Sequence, residues 1–177
     1  MFLSISTADG GMNMHSKIFQ IESFPVEENY RIAEGNYIGD HWFVYSIADY
    51  VAEDESREQS LEWLKDTLSC AEPFIEFFSD IDGCGFILHD GFHAAYFKRE
   101  YEGFINALTS LTVTVSPEAF AMGNLEPKMS ALNTAYDDRY GFYVDCDDTG
   151  LVTLNQFLRK AKPEIRYYFG GTVDYHC

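Results

Sequence analysis

Two short apolar segments joined by a four-residue turn constrain this chain more than any other feature. The first covers residues 72–79 (EPFIEFFS), the second covers residues 84–89 (CGFILH), and DIDG lies between them. Aromatic and β-branched residues favour strands, and a short polar turn ending in glycine favours a hairpin. The sequence therefore predicts an antiparallel pair of strands in the middle of the chain.

Strand and helix patterns interleave irregularly on both sides of this hairpin. Strands are predicted at residues 17–22, 111–115 and 141–145, with a closing strand or a hairpin bent at Gly170-Gly171 over residues 165–175. Residues 41–51 (HWFVYSIADYV) are predicted as a strand that runs into a helical turn. Helices are predicted at residues 56–70, about 96–108, from 117, at 127–137 and at 154–161, with Ser56, Ser116 and Thr153 as N-caps.

This alternation predicts an α+β fold with a mainly antiparallel or mixed sheet and about four to five helices. The chain has 177 residues, of which 46% are hydrophobic, so it can bury a core and is not disordered as a whole. Residues 1–16 carry little structural signal and are expected to be an N-terminal appendage. Residues 17–177 are expected to form a single compact acidic domain.

The charge of the chain is strongly negative and unevenly distributed. Asp and Glu number 29 against 12 Lys and Arg, which gives a formal net charge of −17. Residues 1–90 hold 18 acids and 4 bases, a net charge of −14. Such a surface repels phosphate backbones and anionic lipid, which argues against direct binding of nucleic acid or membranes. The expected partner is a basic, nucleic-acid-binding protein.

The acidic residues of the first half are concentrated around the predicted helix at 56–70. Glu55, Glu58, Glu62 and Asp66 are spaced three, four and four apart, so they follow one stripe of that helix. Their carboxylates repeat roughly every 6 Å along the axis and can imitate phosphate groups. The candidate partner-binding residues are Asp49, Glu53, Asp54, Glu55, Glu58, Glu62 and Asp66. The alternative is an ordinary solvated helix face.

The segment 145–157 (DCDDTGLVTLNQF) resembles part of a calcium-binding loop. Asp145, Asp147 and Thr149 occupy ligand positions and Gly150 the turn position, but Gln156 stands where a bidentate Glu is required. We therefore favour an acidic turn closed by Gly150, in which Thr153 and Gln156 form a capping box, and keep the three ligand positions as weak metal candidates. No cofactor is expected.

Catalytic motifs are incomplete. The HDGFH segment provides His89, Asp90 and His93 but no third metal ligand, and it is interpreted as a turn with surface or capping histidines. Cys84 lies near His89, but alternation along a strand would place the two on opposite faces. The sequence therefore predicts a protein that is not an enzyme.

The sequence predicts a cytoplasmic protein with reduced thiols. The four cysteines show no CxxC spacing, and no apolar stretch approaches the length of a membrane span.

Three stretches of the chain resemble a known group of proteins. They are SKIFQI, HWFVYSIADYVAEDESREQSLEWLKD and the C-terminal set GFYVD, TLNQFLRKA and YYFGGTVDYH. Together they resemble small acidic proteins carried by phages and conjugative elements of anaerobic Gram-positive bacteria, some of which are anti-CRISPR inhibitors of Cas9. The resemblance implies a bacterial host cell and Cas9 as the partner, and it transfers no functional residue.

Three functions remain open on the sequence. The first is an acidic inhibitor that blocks the DNA or guide-RNA function of a nucleic-acid-handling protein. The second is an immunity protein that neutralises a basic toxin such as a nuclease. The third is a calcium-binding or metal-dependent protein that uses residues 145–150 and the HDGFH segment.

Overall fold

The final strand of the chain organises the sheet. The structure, a computed structural model, describes residues 15–39, 42–136, 138–139 and 141–177. Its strands are β1 (His15–Glu22), β2 (Tyr50–Glu53), β3 (Ile75–Asp80), β4 (Gly83–Leu88), β5 (Tyr143–Asp145), β6 (Val152–Thr153) and β7 (Arg166–His176). They form a mixed sheet in the order β3-β4-β7-β1-β5-β6, and β2 pairs with the end of β7. Only the β1–β5 pair is parallel among these pairings.

Seven α-helices accompany the sheet within the described ranges. They are α1 (Trp42–Ser46), α2 (Arg57–Leu68), α3 (Phe92–Tyr96), α4 (Lys98–Thr114), α5 (Pro117–Ala121), α6 (Glu126–Tyr136) and α7 (Leu154–Lys160). Short 3₁₀ turns lie at Glu28–Tyr30, Glu34–Asn36 and Ser69–Ala71. The α+β class and the single compact domain are confirmed. The two helices beyond the predicted number are α1 and α3, which have five residues each.

Each face of the sheet buries its own apolar cluster, because side chains alternate along every strand. On one face, Phe19 of β1 packs with the leucines of α2 and with Phe157 of α7. On the other face, Ile18 packs with Phe43 of α1 and Tyr175 of β7. Helices α2, α3 and α7 therefore cover the first face, and α1 covers part of the second.

The helices α4, α5 and α6 lie outside the two buried clusters, and we call them together the helical arm. No residue of α4 is buried, and α4 packs mainly along α6. Lys128 Nζ of α6 donates to Ser110 Oγ of α4 at 2.8 Å. The arm therefore contributes little to the two buried clusters.

Two predicted strands are wrong in ways that local propensity explains. Residues 111–115 continue helix α4 to Thr114, where the hydroxyls of Thr112 and Thr114 donate to carbonyls of the preceding turn. In residues 42–53 the helix comes first and the strand second, the reverse of the prediction. Short segments rich in aromatic and β-branched residues are ambiguous between helix and strand, so composition could not fix the order. His41, the first residue of that predicted segment, lies outside the described ranges.

The closing segment is one continuous strand rather than a hairpin bent at Gly170-Gly171. A Cβ on Gly171 would lie 2.3 Å from the carbonyl oxygen of Ile32, and one on Gly170 would lie 2.3 Å from Gln20 Oε1. The two glycines therefore permit close approach of neighbouring chain segments. The hairpin β3–β4 and the helices at α2, α5, α6 and α7 agree with the prediction.

The predicted N-terminal appendage, residues 1–16, extends two residues too far. His15 and Ser16 belong to β1, where they pair with His176 and Tyr175 of β7. Residues 1–14 lie outside the described residues.

Candidate functional site

Helix α2 carries the central part of the predicted binding surface. Its N-cap is Ser56, whose side chain accepts a hydrogen bond from the backbone N–H of Gln59. Leu61, Leu64 and Leu68 are buried against the sheet. This apolar face fixes the rotation of the helix, and the stripe of acids consequently faces outward.

The stripe carboxylates are exposed and little neutralised. Glu58, Glu62 and Asp66 of α2 are all exposed, as is Glu55 just before the helix. Lys65 binds Glu62 at 2.6 Å, and no other ion pair reaches the stripe from the described part of the chain. Its charge therefore faces solvent almost uncompensated.

Arg57, the other basic residue of α2, is hydrogen-bonded to the sheet. Arg57 Nε donates to the carbonyl of Gly170 at 2.7 Å, and its Nη2 donates to the carbonyl of Phe169 at 3.1 Å. These bonds anchor the start of α2 on β7. They also keep the guanidinium away from the acidic stripe.

Asp54 differs from the other predicted binding residues because it points inward. Its carboxylate accepts hydrogen bonds from Lys17 Nζ at 2.9 Å and from the hydroxyl of Thr172, and its side chain is 3% exposed. Burial alone would raise the pKa of Asp54, but hydrogen bonds from Thr172, Ser60 and Lys17 outweigh it and lower that pKa. Asp54 is thus a structural residue that holds β1 and β7 together.

The remaining predicted acids flank β2. Asp49 precedes the strand and Glu53 ends it, and both are exposed. The backbone N–H of Asp49 donates to the carbonyl of His176 at 2.7 Å, which ties this segment to the end of β7. Six of the seven predicted binding residues are therefore exposed to solvent.

A polar pocket of about 300 Å³ opens beside the stripe. Its lining includes Lys17, Glu55, Trp63 and Asp174. Lys17 Nζ lies 5.7 Å from the ring centroid of Trp63, within the range of a cation–π contact. The indole is half exposed, so an aromatic surface lies directly beside the carboxylates.

The aromatic residues around the acidic segment are mostly exposed. Of Tyr30, Tyr37, Trp42, Tyr45 and Tyr50, only Tyr37 is buried, and the other four are at least 49% exposed. The 3₁₀ turn Glu28–Tyr30 buries none of its residues, and helix α1, which carries Trp42 and Tyr45, buries only Phe43.

The loop that follows β5 has the predicted capping box. The side chain of Thr153 accepts from the backbone N–H of Gln156, and Gln156 accepts from the backbone N–H of Thr153. Asp145, the first weak metal candidate, accepts a hydrogen bond from the hydroxyl of Tyr37. Burial and this bond raise the pKa of Tyr37.

Of the other two candidates of that loop, Asp147 lies against a buried acid. The backbone N–H of Asp147 donates to the carboxylate of Glu22 at 3.1 Å, and the N–H of Thr149 donates to the carbonyl of Cys146. Burial, reinforced by the carboxylates of Asp147 and Asp145, raises the pKa of Glu22 to about 7. The end of β1 therefore places against this loop a carboxyl group with a pKa of about 7.

The histidines of the HDGFH segment are directed to different partners. His89 Nδ1 lies 2.9 Å from Glu164 Oε1 and His89 Nε2 lies 3.6 Å from Glu76 Oε2. His93 Nε2 lies 2.9 Å from the carbonyl oxygen of Leu158, at the end of α7. Cys84 packs beside the first apolar cluster, and no disulfide joins cysteines within the described residues.

A histidine and carboxylate cluster that the sequence interpretation missed lies at the ends of β1 and β7. One potential ligand atom from each of His15, Asp174 and His176 lies within 4.8 Å of the other two. Burial and the neighbouring His15 lower the pKa of His176. The local signal was the DYH segment at residues 174–176, since residues two apart on a strand share a face. The third member of the cluster, His15, is 159 residues from Asp174, so the sequence did not connect it with the other two.

No protein-family model, curated protein or solved structure matches this chain. Among the described residues, no helix has the length and apolarity required to span a membrane.

Proposed function

We propose that this protein is a non-enzymatic acidic inhibitor that binds a basic, nucleic-acid-handling protein through the stripe of helix α2. The observation that carries the proposal is the row of exposed carboxylates at Glu58, Glu62 and Asp66, of which only Glu62 has a basic partner among the described residues. A rigid row of carboxylates spaced roughly 6 Å apart competes with phosphates for arginine-rich surfaces.

The surroundings of the stripe support binding to a protein rather than to a free cation. Trp63 is half exposed within the same helix, and Tyr50 is half exposed on the neighbouring strand β2. Tryptophan and tyrosine are enriched where protein interfaces are most strongly bound. Carboxylates beside such side chains provide charge complementarity and apolar area together.

Cas9 is the partner that we propose. It holds its guide heteroduplex in a positively charged channel and reads the adjacent DNA motif with arginines. Electrostatic steering by an acidic protein accelerates encounter with such a surface, and salt weakens this effect. Inhibition then follows because the acidic surface occupies positions that nucleic acid requires.

The test is reversal of the stripe charge in the triple variant Glu58→Lys, Glu62→Lys and Asp66→Lys. We expect it to lower the association rate with purified Cas9 at least about tenfold at low salt, because steering is lost. Association is measured by surface plasmon resonance at low and high salt, and inhibition by DNA cleavage. Capture from a bacterial lysate at both salt concentrations identifies competing partners.

The helical arm offers a matched control with the same change in charge. Glu102, Glu118 and Glu126 are exposed on α4, α5 and α6, and their reversal to Lys should leave binding almost unchanged. Full inhibition by the stripe variant would place the binding site elsewhere. Selective capture of a basic nuclease toxin in place of Cas9 would favour the immunity protein.

A further inference from the structure

The cluster at the sheet end is built by strand pairing. In the antiparallel register of β1 and β7, His15 lies opposite His176 and Lys17 lies opposite Asp174. Alternation therefore places His15, Asp174 and His176 on one face of the sheet. Tyr50 of β2 stacks on the ring of His176 with a centroid separation of 4.2 Å. Three strands thus meet at this cluster.

The distances in the cluster are close to those of a metal site. Zinc bonds nitrogen at 2.0–2.1 Å, so two ligand atoms of a tetrahedral ion lie roughly 3.3 Å apart. His15 Nδ1 and Asp174 Oδ2 are 3.3 Å apart. All three ligand atoms lie within 4.8 Å of one another, and the His15 side chain, which is 56% exposed, has room to adjust.

The two carboxylate oxygens of Asp174 have different surroundings. Oδ1 is buried and has no hydrogen-bond partner among the described residues, and Lys17 Nζ lies 3.5 Å from it. Oδ2 faces His15 Nδ1 at 3.3 Å and is the oxygen available to an ion. A cation bound at Oδ2 neutralises the carboxylate and lowers the cost of burying Oδ1.

We propose that His15, Asp174 and His176 bind a divalent transition-metal ion of the Zn²⁺ class. Two imidazoles and one carboxylate suit Zn²⁺, Co²⁺ or Ni²⁺, whereas Mg²⁺ and Ca²⁺ favour sites made of oxygen ligands. Three protein ligands leave a fourth position for water. The ion joins the start of β1 to the end of β7, and Asp174 also lines the pocket beside the acidic stripe.

The test uses the full chain without a histidine tag, titrated with Co²⁺ and followed by visible absorption, with Zn²⁺ binding measured by calorimetry. We expect one ion per chain for each metal and no binding of Mg²⁺. The variants His15→Ala and Asp174→Asn should weaken binding at least about tenfold, at least as much as loss of an outer-shell partner.

The matched control is His89→Ala, which removes another histidine in contact with carboxylates. It should leave metal affinity unchanged. A second measurement needs no variant: Zn²⁺ should shift the ring-nitrogen NMR signals of His15 and His176 and leave those of His89 and His93 in place. Absence of Co²⁺ and Zn²⁺ binding, unaltered affinity in the two ligand variants, or unmoved signals of His15 and His176 would overturn the proposal.

Discussion

The pKa values of two acidic residues, Asp54 and Glu22, are shifted in opposite directions. Asp54 is held in its charged form by Lys17 and hydroxyl groups. Glu22, on the same strand as Lys17, is 3% exposed and lies close to the carboxylates of Asp147 and Asp145. Its pKa is raised from 4.5 to about 7, so charging Glu22 opposes folding.

The raised pKa of Glu22 predicts a pH dependence of stability. Between pH 4.5 and pH 7 the folded protein binds this proton more tightly than the unfolded chain, so the contribution of Glu22 to stability falls as pH rises through that window. The variant Glu22→Gln should be more stable than wild type at pH 8 by roughly 1–2 kcal/mol, allowing for solvent screening. This gain should vanish at pH 4. Urea unfolding at both pH values measures it.

The exposed Glu72 provides the control for that experiment, since Glu72→Gln removes a carboxylate without removing a buried one. Its effect should be small and similar at both pH values. An equal difference between Glu22→Gln and wild type at pH 4 and pH 8 would contradict the interpretation of Glu22.

At the scale of elements, the helical arm and the sheet differ in how many of their residues are buried. Helix α4 has no buried residue, whereas most of β7 is buried. Local opening requires little free energy where few apolar contacts are lost. Amides of α4 and α6 should therefore exchange with deuterium before those of β1 and β7, as measured by mass spectrometry at neutral pH. Equal protection of α4 and β7 would show that the arm opens only with the whole domain.

Most elements could be predicted from local sequence, and the errors share one cause. The Ser56 and Thr153 caps and the β3–β4 hairpin depend on neighbouring residues, and each is present. The mistaken strands at residues 111–115 and near residue 42 are rich in residues that suit both states. Only pairing with β7 or the continuation of a helix decides between those states, and neither is visible in a short window.

At the scale of the molecule, the candidate sites also divide into features that neighbouring residues determine and features that distant residues determine. The stripe of α2 was predictable because helical spacing and the position of Leu61, Leu64 and Leu68 determine which face is exposed. The inward position of Asp54 and the cluster at His15 were not, since both depend on partners more than 35 residues away. Both features depend on the pairing of β1 with β7, which the local sequence does not show.

The net charge of −17 predicts a response of the whole fold to salt. Repulsion among exposed carboxylates opposes compaction, and added ions screen it. Raising NaCl from about 0.02 M to 0.5 M should increase Tm by roughly 2–4 °C, which corresponds to about 1 kcal/mol in a domain of this size. Differential scanning calorimetry measures the change. The triple charge reversal on α2 should respond less, and a Tm that falls with salt would contradict the prediction.

The position of β7 in the sheet has a consequence for synthesis on the ribosome. Strands β1, β2 and β4 all pair with Arg166–His176, and His15 is 159 residues from Asp174. Local elements such as α2 and the β3–β4 hairpin can form during translation, but the sheet cannot close until β7 has left the exit tunnel. Until then, the apolar residues of β1 and β4 lack the strand that joins them. Completion of this sheet therefore follows the synthesis of every other element described in the domain.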